Sequence, residues 1–99
     1  MSHVKLNLSC PRALGEQLVE YLLDRLDRGF TTLHGHGHGG DFSAASLAEK
    51  VRGHVDVLLV MAILPAADVA PLMAEIKTRF PSPQLVYWTE PVADFGDCA

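Results

Sequence analysis

The stretch Leu33-His34-Gly35-His36-Gly37-His38-Gly39-Gly40-Asp41 places three imidazoles at alternate positions, with glycines between and after them. Imidazole is the commonest protein metal ligand and the side chain whose unperturbed pKa falls near neutrality. Glycine opens backbone conformations that other residues resist, at an entropic cost. Where such a run is extended, side chains at i and i+2 share a face, so a His-x-His pair offers two nitrogens to one ion. His34, His36 and His38 supply borderline nitrogen and Asp41 a hard oxygen, a set suited to zinc, copper, nickel or cobalt rather than calcium. His54 stands at the far end of the glycine-rich segment, just before the next strand, where it can approach the strand carrying His34. His3 is a weaker candidate in a terminal segment. The plain alternative is a solvated loop rich in histidine, because such tracts are only a compositional pointer. For His54 the plain alternative is a partly exposed histidine at a strand end.

Other reactive groups are sparse. Cys10 and Cys98 lie near opposite ends of the chain and are expected as free thiols. Cys10, beside Pro11 at an expected helix start, is either a thiol activated by the helix dipole or a small buried hydrophobe, and burial is the simpler reading. No serine-histidine-acid or cysteine-histidine motif is present. A histidine-held ion with an open position could activate water, but the sequence places no general base beside it, and the chain is not expected to be an enzyme.

The elements that must position these groups fit one domain in 99 residues, with a hydrophobic fraction of 48%. A net charge of -4 and a pI near 5.6 argue against a nucleic-acid footprint or attraction to an anionic membrane. The longest apolar run, Val57 to Ala67, contains Pro65 and is too short to span a bilayer. The first residues show no secretory pattern, so the expected location is the cytoplasm.

Val4, Leu6 and Leu8 alternate with Lys5, Asn7 and Ser9, the period of a half-buried strand. Pro11 then sits at a first helical position, and Leu14, Leu18, Tyr21, Leu22 and Leu26 form a helical stripe, with Gly29 as a stop. Phe30-Thr31-Thr32-Leu33 begins a second strand that runs into the histidines, and from Gly35 to about Ala45 a mobile loop is expected. Ser46 and Glu49 are spaced as a capping box, so 46–52 is either one helical turn or an extended arm. Val55 to Leu64 is a strand apolar on both faces, which requires cover on both. Only two helices are available, so the second cover is best supplied by another copy of the chain. Pro65-Ala66-Ala67-Asp68 opens a second helix whose stripe is Val69, Leu72, Met73, Ile76 and Phe80. Leu85 to Thr89 is a last strand, stopped by Pro91. The order β-α-β-β-α-β is the ferredoxin-like pattern of an α+β sandwich, with two helices on one face of a four-stranded antiparallel sheet.

At this point the chain resembles the PII-like superfamily, which includes the nitrogen regulatory PII and CutA-type proteins. The resemblance rests on the element order, the long connection between the second and third strands, and the close in Glu90-Pro91-Val92. Leu6-Asn7-Leu8, Gly29-Phe30-Thr31-Thr32, Gly35-His36-Gly37, the run from Ser46 to Gly53 and Tyr87-Trp88 are similar to a small PII-like family encoded beside heavy-metal efflux systems of the RND type. The resemblance implies one domain over 1–99, a homotrimer with ligand clefts between subunits, and a T-loop at about 35–53 that touches a partner. PII proteins hold ATP or ADP partly through a glycine-rich turn between the second helix and the last strand. Here Thr78 to Gln84 contains no glycine, and the T-loop lacks the tyrosine that PII proteins modify.

The expected function is therefore a PII-like regulator that senses a transition-metal ion, or a small effector, at His34, His36, His38, Asp41 and His54 and modulates an efflux transporter. Gly35, Gly37, Gly39, Gly40, Phe42, Glu49 and Arg52 are the expected partner-contact residues of the loop. Glu49 and Arg52 read otherwise as a surface pair worth little, and Tyr87 and Trp88 as sheet and interface packing. The alternatives are a metal buffer without signalling and a regulator that retains nucleotide through an altered cleft.

Overall fold

The computed structural model describes residues 2–39 and 53–99. Gly40, Asp41, Phe42, the segment beginning at Ser46, Glu49 and Arg52 lie outside the described residues. The elements are β1 (His3–Pro11), α1 (Arg12–Arg25), β2 (Thr31–Gly37), β3 (Val55–Pro65), a 3-10 turn (Ala66–Asp68), α2 (Val69–Arg79) and β4 (Val86–Val92). One antiparallel sheet runs in the order β2-β3-β1-β4, the α+β arrangement expected.

Alternation in the strands sorts the two faces. Leu6, Leu8 and Cys10 of β1 and Leu58, Val60, Ala62 and Leu64 of β3 point to the side that the helices cover. They meet Leu18, Tyr21 and Leu22 of α1 and Leu72, Met73 and Ile76 of α2 in one core. Both helical stripes thus fall where the period of apolar residues puts them. Gly15 lets α1 approach closely, since a Cβ there would lie 3.2 Å from Leu58 Cδ2. Arg25 and Glu75 tie the helices together at 2.6 Å, and Arg25 and Arg79 lie over the Tyr21 ring at 5.0 and 5.1 Å.

α1 ends at Arg25, with Leu26 already extended, short of the stop expected at Gly29, and three further boundaries depart from the sequence reading because of a strand partner. Pro11 is the residue before α1 rather than its first, because it still pairs opposite Val57 in the β1–β3 ladder. Pro91 does not stop β4: it sits opposite Val4 on an edge strand, the place in a sheet where proline is tolerated. Most relevant to function, β2 continues through His34, Gly35 and His36 to Gly37, where a loop was expected from Gly35. The register Gly35 to Val57, His36 to Asp56 and Gly37 to Val55 gives this glycine-rich backbone a ladder partner.

The other face carries a row of Leu33, Leu59, Ser9 and Val86, and a second row of Thr31, Met61, Asn7 and Trp88. No helix among the described residues covers it, and Leu33, Val86 and Trp88 are 52%, 50% and 44% exposed. Among its polar residues Glu90 is a hub: its Oε2 accepts from Asn7 Nδ2 at 2.8 Å and Trp88 Nε1 at 3.3 Å, with Lys5 Nζ 3.9 Å away. No helix among the described residues is long and apolar enough to cross a membrane.

Candidate metal centre between the ends of β2 and β3

Because β2 stays in register to its end, His36 stands directly opposite Asp56, and directly paired residues of an antiparallel ladder share a face. That face is the helix side, beyond Leu58, where the helix cover ends. His54 precedes β3 and follows Gly53, whose φ of +78° is a left-handed turn suited to glycine. The turn brings the His54 ring to 4.0 Å from the His36 ring, tilted by 32°. His36, His54 and Asp56 each offer a ligand atom, and these atoms lie within 4.8 Å of one another. His54 and Asp56 are half-buried while His36 is exposed, so the group opens to solvent on one side.

Among the described residues the Asp56 carboxylate has His54 and Arg12 beside it. Asp56 Oδ1 lies 3.8 Å from His54 Nε2, and Oδ2 lies 3.4 Å from the Arg12 guanidinium at the start of α1. Zinc–nitrogen and zinc–oxygen bonds of ~2.1 Å put two tetrahedral ligands about 3.4 Å apart. The separation of 3.8 Å is therefore a small side-chain rotation from one that a single ion would impose. Two imidazoles and one carboxylate, with an open side, leave a coordination position for water or a further ligand.

Of the residues expected at this site, His36 and His54 come together. His38 lies nearby, its ring 5.7 Å from that of His54 and 6.5 Å from that of His36. His34 lies one pair back along β2, opposite Leu58, and is not part of the close group. Asp41 falls outside the described residues. His3 is at the other end of the sheet, its ring 5.4 Å from Phe95. Asp56 was missed because it sits inside the apolar strand Val55 to Leu64. The signal that could have found it is the spacing His54-x-Asp56, which repeats that of the histidines.

Cys10 does not join the site. It is 0% exposed, its Sγ donates to the Pro11 carbonyl at 3.3 Å, and burial pushes the thiol up to about 11. This is a core hydrophobe, without the lowered pKa that a helix start can confer. Cys98 is exposed.

A family model described as "Protein of unknown function (DUF3240)" matches residues 1–99. A crystal structure of a DUF3240 family protein from Shewanella baltica OS155 is similar, with a TM-score of 0.79 at 17% identity, covering 100% of this chain and 99% of that one. CPII from Thiomonas intermedia K12, described as a nitrogen regulatory PII-like protein bound to ADP, AMP and bicarbonate, matches with a TM-score of 0.67 at 20% identity, covering 93% and 91%. A Bacillus cereus protein related to NIF3 matches with a TM-score of 0.69 at 16% identity, over 94% of this chain and 26% of that protein. No curated protein matches the chain. The fold is PII-like.

Proposed function

The chain belongs to the DUF3240 family, and we propose that it is a PII-like regulatory protein that takes up a transition-metal ion at His36, His54 and Asp56. The observation that carries this reading is the convergence of two imidazoles and a carboxylate, from either side of the β2–β3 connection, within 4.8 Å. An ion held there joins the end of one strand to the start of the next. In this reading its arrival changes how the intervening segment is presented to a partner, a switch whose input is a few coordinate bonds. We take the partner to be a membrane efflux transporter for heavy metals, and the metal to be zinc, copper, nickel or cobalt.

The uncovered face of the sheet supports an oligomer. A strand such as β3, apolar on both sides, is stable where both sides are covered. We propose that further copies of the chain cover the face formed by Leu33, Leu59, Met61, Val86 and Trp88, giving a homotrimer. No catalytic role is proposed.

Calorimetric titration of the purified protein with zinc tests the metal reading. One ion per chain, with affinity lost in His54→Ala and kept in His34→Ala, is expected. No zinc, copper, nickel or cobalt uptake by the unaltered protein contradicts it. A regulator that binds nucleotide instead would be protected from unfolding by millimolar ATP or ADP and indifferent to metal. A metal buffer would bind the ion yet show no metal-dependent partner.

A further inference from the structure

Two glycine turns mark where the chain leaves the sheet after β2 and rejoins it before β3, and a histidine adjoins each. His38 stands one residue past the last ladder pair, Gly37 with Val55, and is followed by Gly39, whose φ is +74°. His54 follows Gly53, whose φ is +78°. The rings of these two histidines are 5.7 Å apart, and the His36 ring lies 4.0 Å from that of His54 and 6.5 Å from that of His38. His38 is the next imidazole out from the tighter group of His36, His54 and Asp56. The geometry points to His38 as a third imidazole ligand, so that one ion clasps the chain at both turns and the centre selects divalent ions that favour nitrogen. This rests on metal uptake at His36, His54 and Asp56, as proposed above.

An imidazole nitrogen binds zinc at ~2.1 Å with the ring centre about 1.2 Å beyond it, so tetrahedral ligation holds ring centres about 5.3 Å apart. The three observed separations fall on either side of that value, each within about 1.3 Å of it. Rotation of the exposed His36 and His38 side chains covers the difference. Among the described residues the ring contacts of this cluster join His36, His38 and His54 and leave out His34, which lies opposite Leu58. Three imidazoles suit zinc, copper(II) and nickel, whereas calcium and magnesium seek oxygen and copper(I) seeks sulfur. The imidazole count is the same whether or not Asp56 is also a ligand. Because His38 lies beyond the ladder, an ion bound to it fixes the direction in which the chain leaves β2. Its replacement removes no ladder pair and leaves the core intact.

Zinc X-ray absorption counts imidazoles, because their outer ring atoms scatter in a pattern that carboxylate and water lack. Full-length protein, His38→Ala and His34→Ala are loaded with one equivalent of zinc. Affinity is read by competition with a chelator, and far-ultraviolet circular dichroism is the control for folding. Three imidazoles are expected in the unaltered protein and in His34→Ala, and two in His38→Ala. Groups that only orient a ligand are worth about 10–100-fold in affinity, so His38→Ala is expected to weaken zinc binding by at least about 10-fold. Two imidazoles in the unaltered protein, or a count and affinity unchanged in His38→Ala, overturn the role of His38 while leaving the metal reading standing. A loss in His34→Ala equal to that in His38→Ala overturns it too, because the fold places only His38 beside the other two rings. An unaltered protein that takes up no zinc, copper, nickel or cobalt overturns the metal reading itself, and this inference with it.

Discussion

At the scale of the residue, two groups have properties set by where the fold puts them. Cys10 is a thiol with no solvent exposure whose pKa is pushed up to about 11 by burial. Its folded value exceeds that of the unfolded chain, so the native state binds a proton that the unfolded state releases first. Stability is then fully present below about pH 8.5 and declines as pH rises toward 11, by on the order of 2–3 kcal/mol in total. Denaturant titrations between pH 8 and 11 should show this loss, and Cys10→Ala should remove it; an identical slope in the variant contradicts the assignment. Thiol-modifying reagents should label Cys98 quickly at pH 7 and Cys10 only on unfolding. The site residues behave differently, because they lie at a strand end where side chains remain accessible. His36→Ala and His54→Ala should each abolish high-affinity zinc uptake while changing stability by less than about 1 kcal/mol, as expected of side chains outside the core.

At the scale of the element, the register between β2 and β3 makes the site, and a slip of one residue would turn His36 to the opposite face from Asp56. Much of the architecture was legible from period alone. The alternation in Val4 to Ser9, the leucine stripe from Leu14 to Leu22 and the apolar run from Val55 all became the elements they suggested, while α1 ends at Arg25, short of Leu26 and Gly29. The end of β2 was not legible, because Gly35 and Gly37 are poor strand formers and only the ladder to Val55 and Val57 keeps them extended. A Cβ at Gly37 would stand 3.0 Å from Val55 Cγ2, so any larger residue there needs the Val55 side chain to give way. Of the site itself, His36 and His54 were readable from residue type, while Asp56 was hidden in an apolar strand and Arg12 depends on tertiary placement. The seat of α1 gives a separate prediction. Gly15→Leu should push the helix off Leu58 and destabilise the fold by about 1–3 kcal/mol or more, read from the shift in denaturation midpoint. An unchanged midpoint would show that the helix has room the packing denies.

At the scale of the whole molecule, a sheet with one helix-covered face and one exposed apolar face joins the proposed metal site at its rim to the proposed assembly surface behind it. The covered face holds the core, and the bare face exposes Leu33, Val86 and Trp88, an apolar surface that a second copy would bury. Sedimentation at micromolar concentration should give a trimer, and Leu59→Glu, in the middle of that face, should give monomers. A monodisperse monomer of the unaltered protein contradicts the assembly. Metal uptake and assembly together predict a fixed stoichiometry, which makes one experiment the most direct. Native mass spectrometry of the tag-free protein titrated with zinc, beside His36→Ala and His34→Ala, reads oligomer and occupancy at once. A trimer carrying one ion per chain, empty in His36→Ala and filled in His34→Ala, is the predicted result. Zinc retained in His36→Ala, or uptake lost equally in His34→Ala, would contradict a centre built from His36, His54 and Asp56.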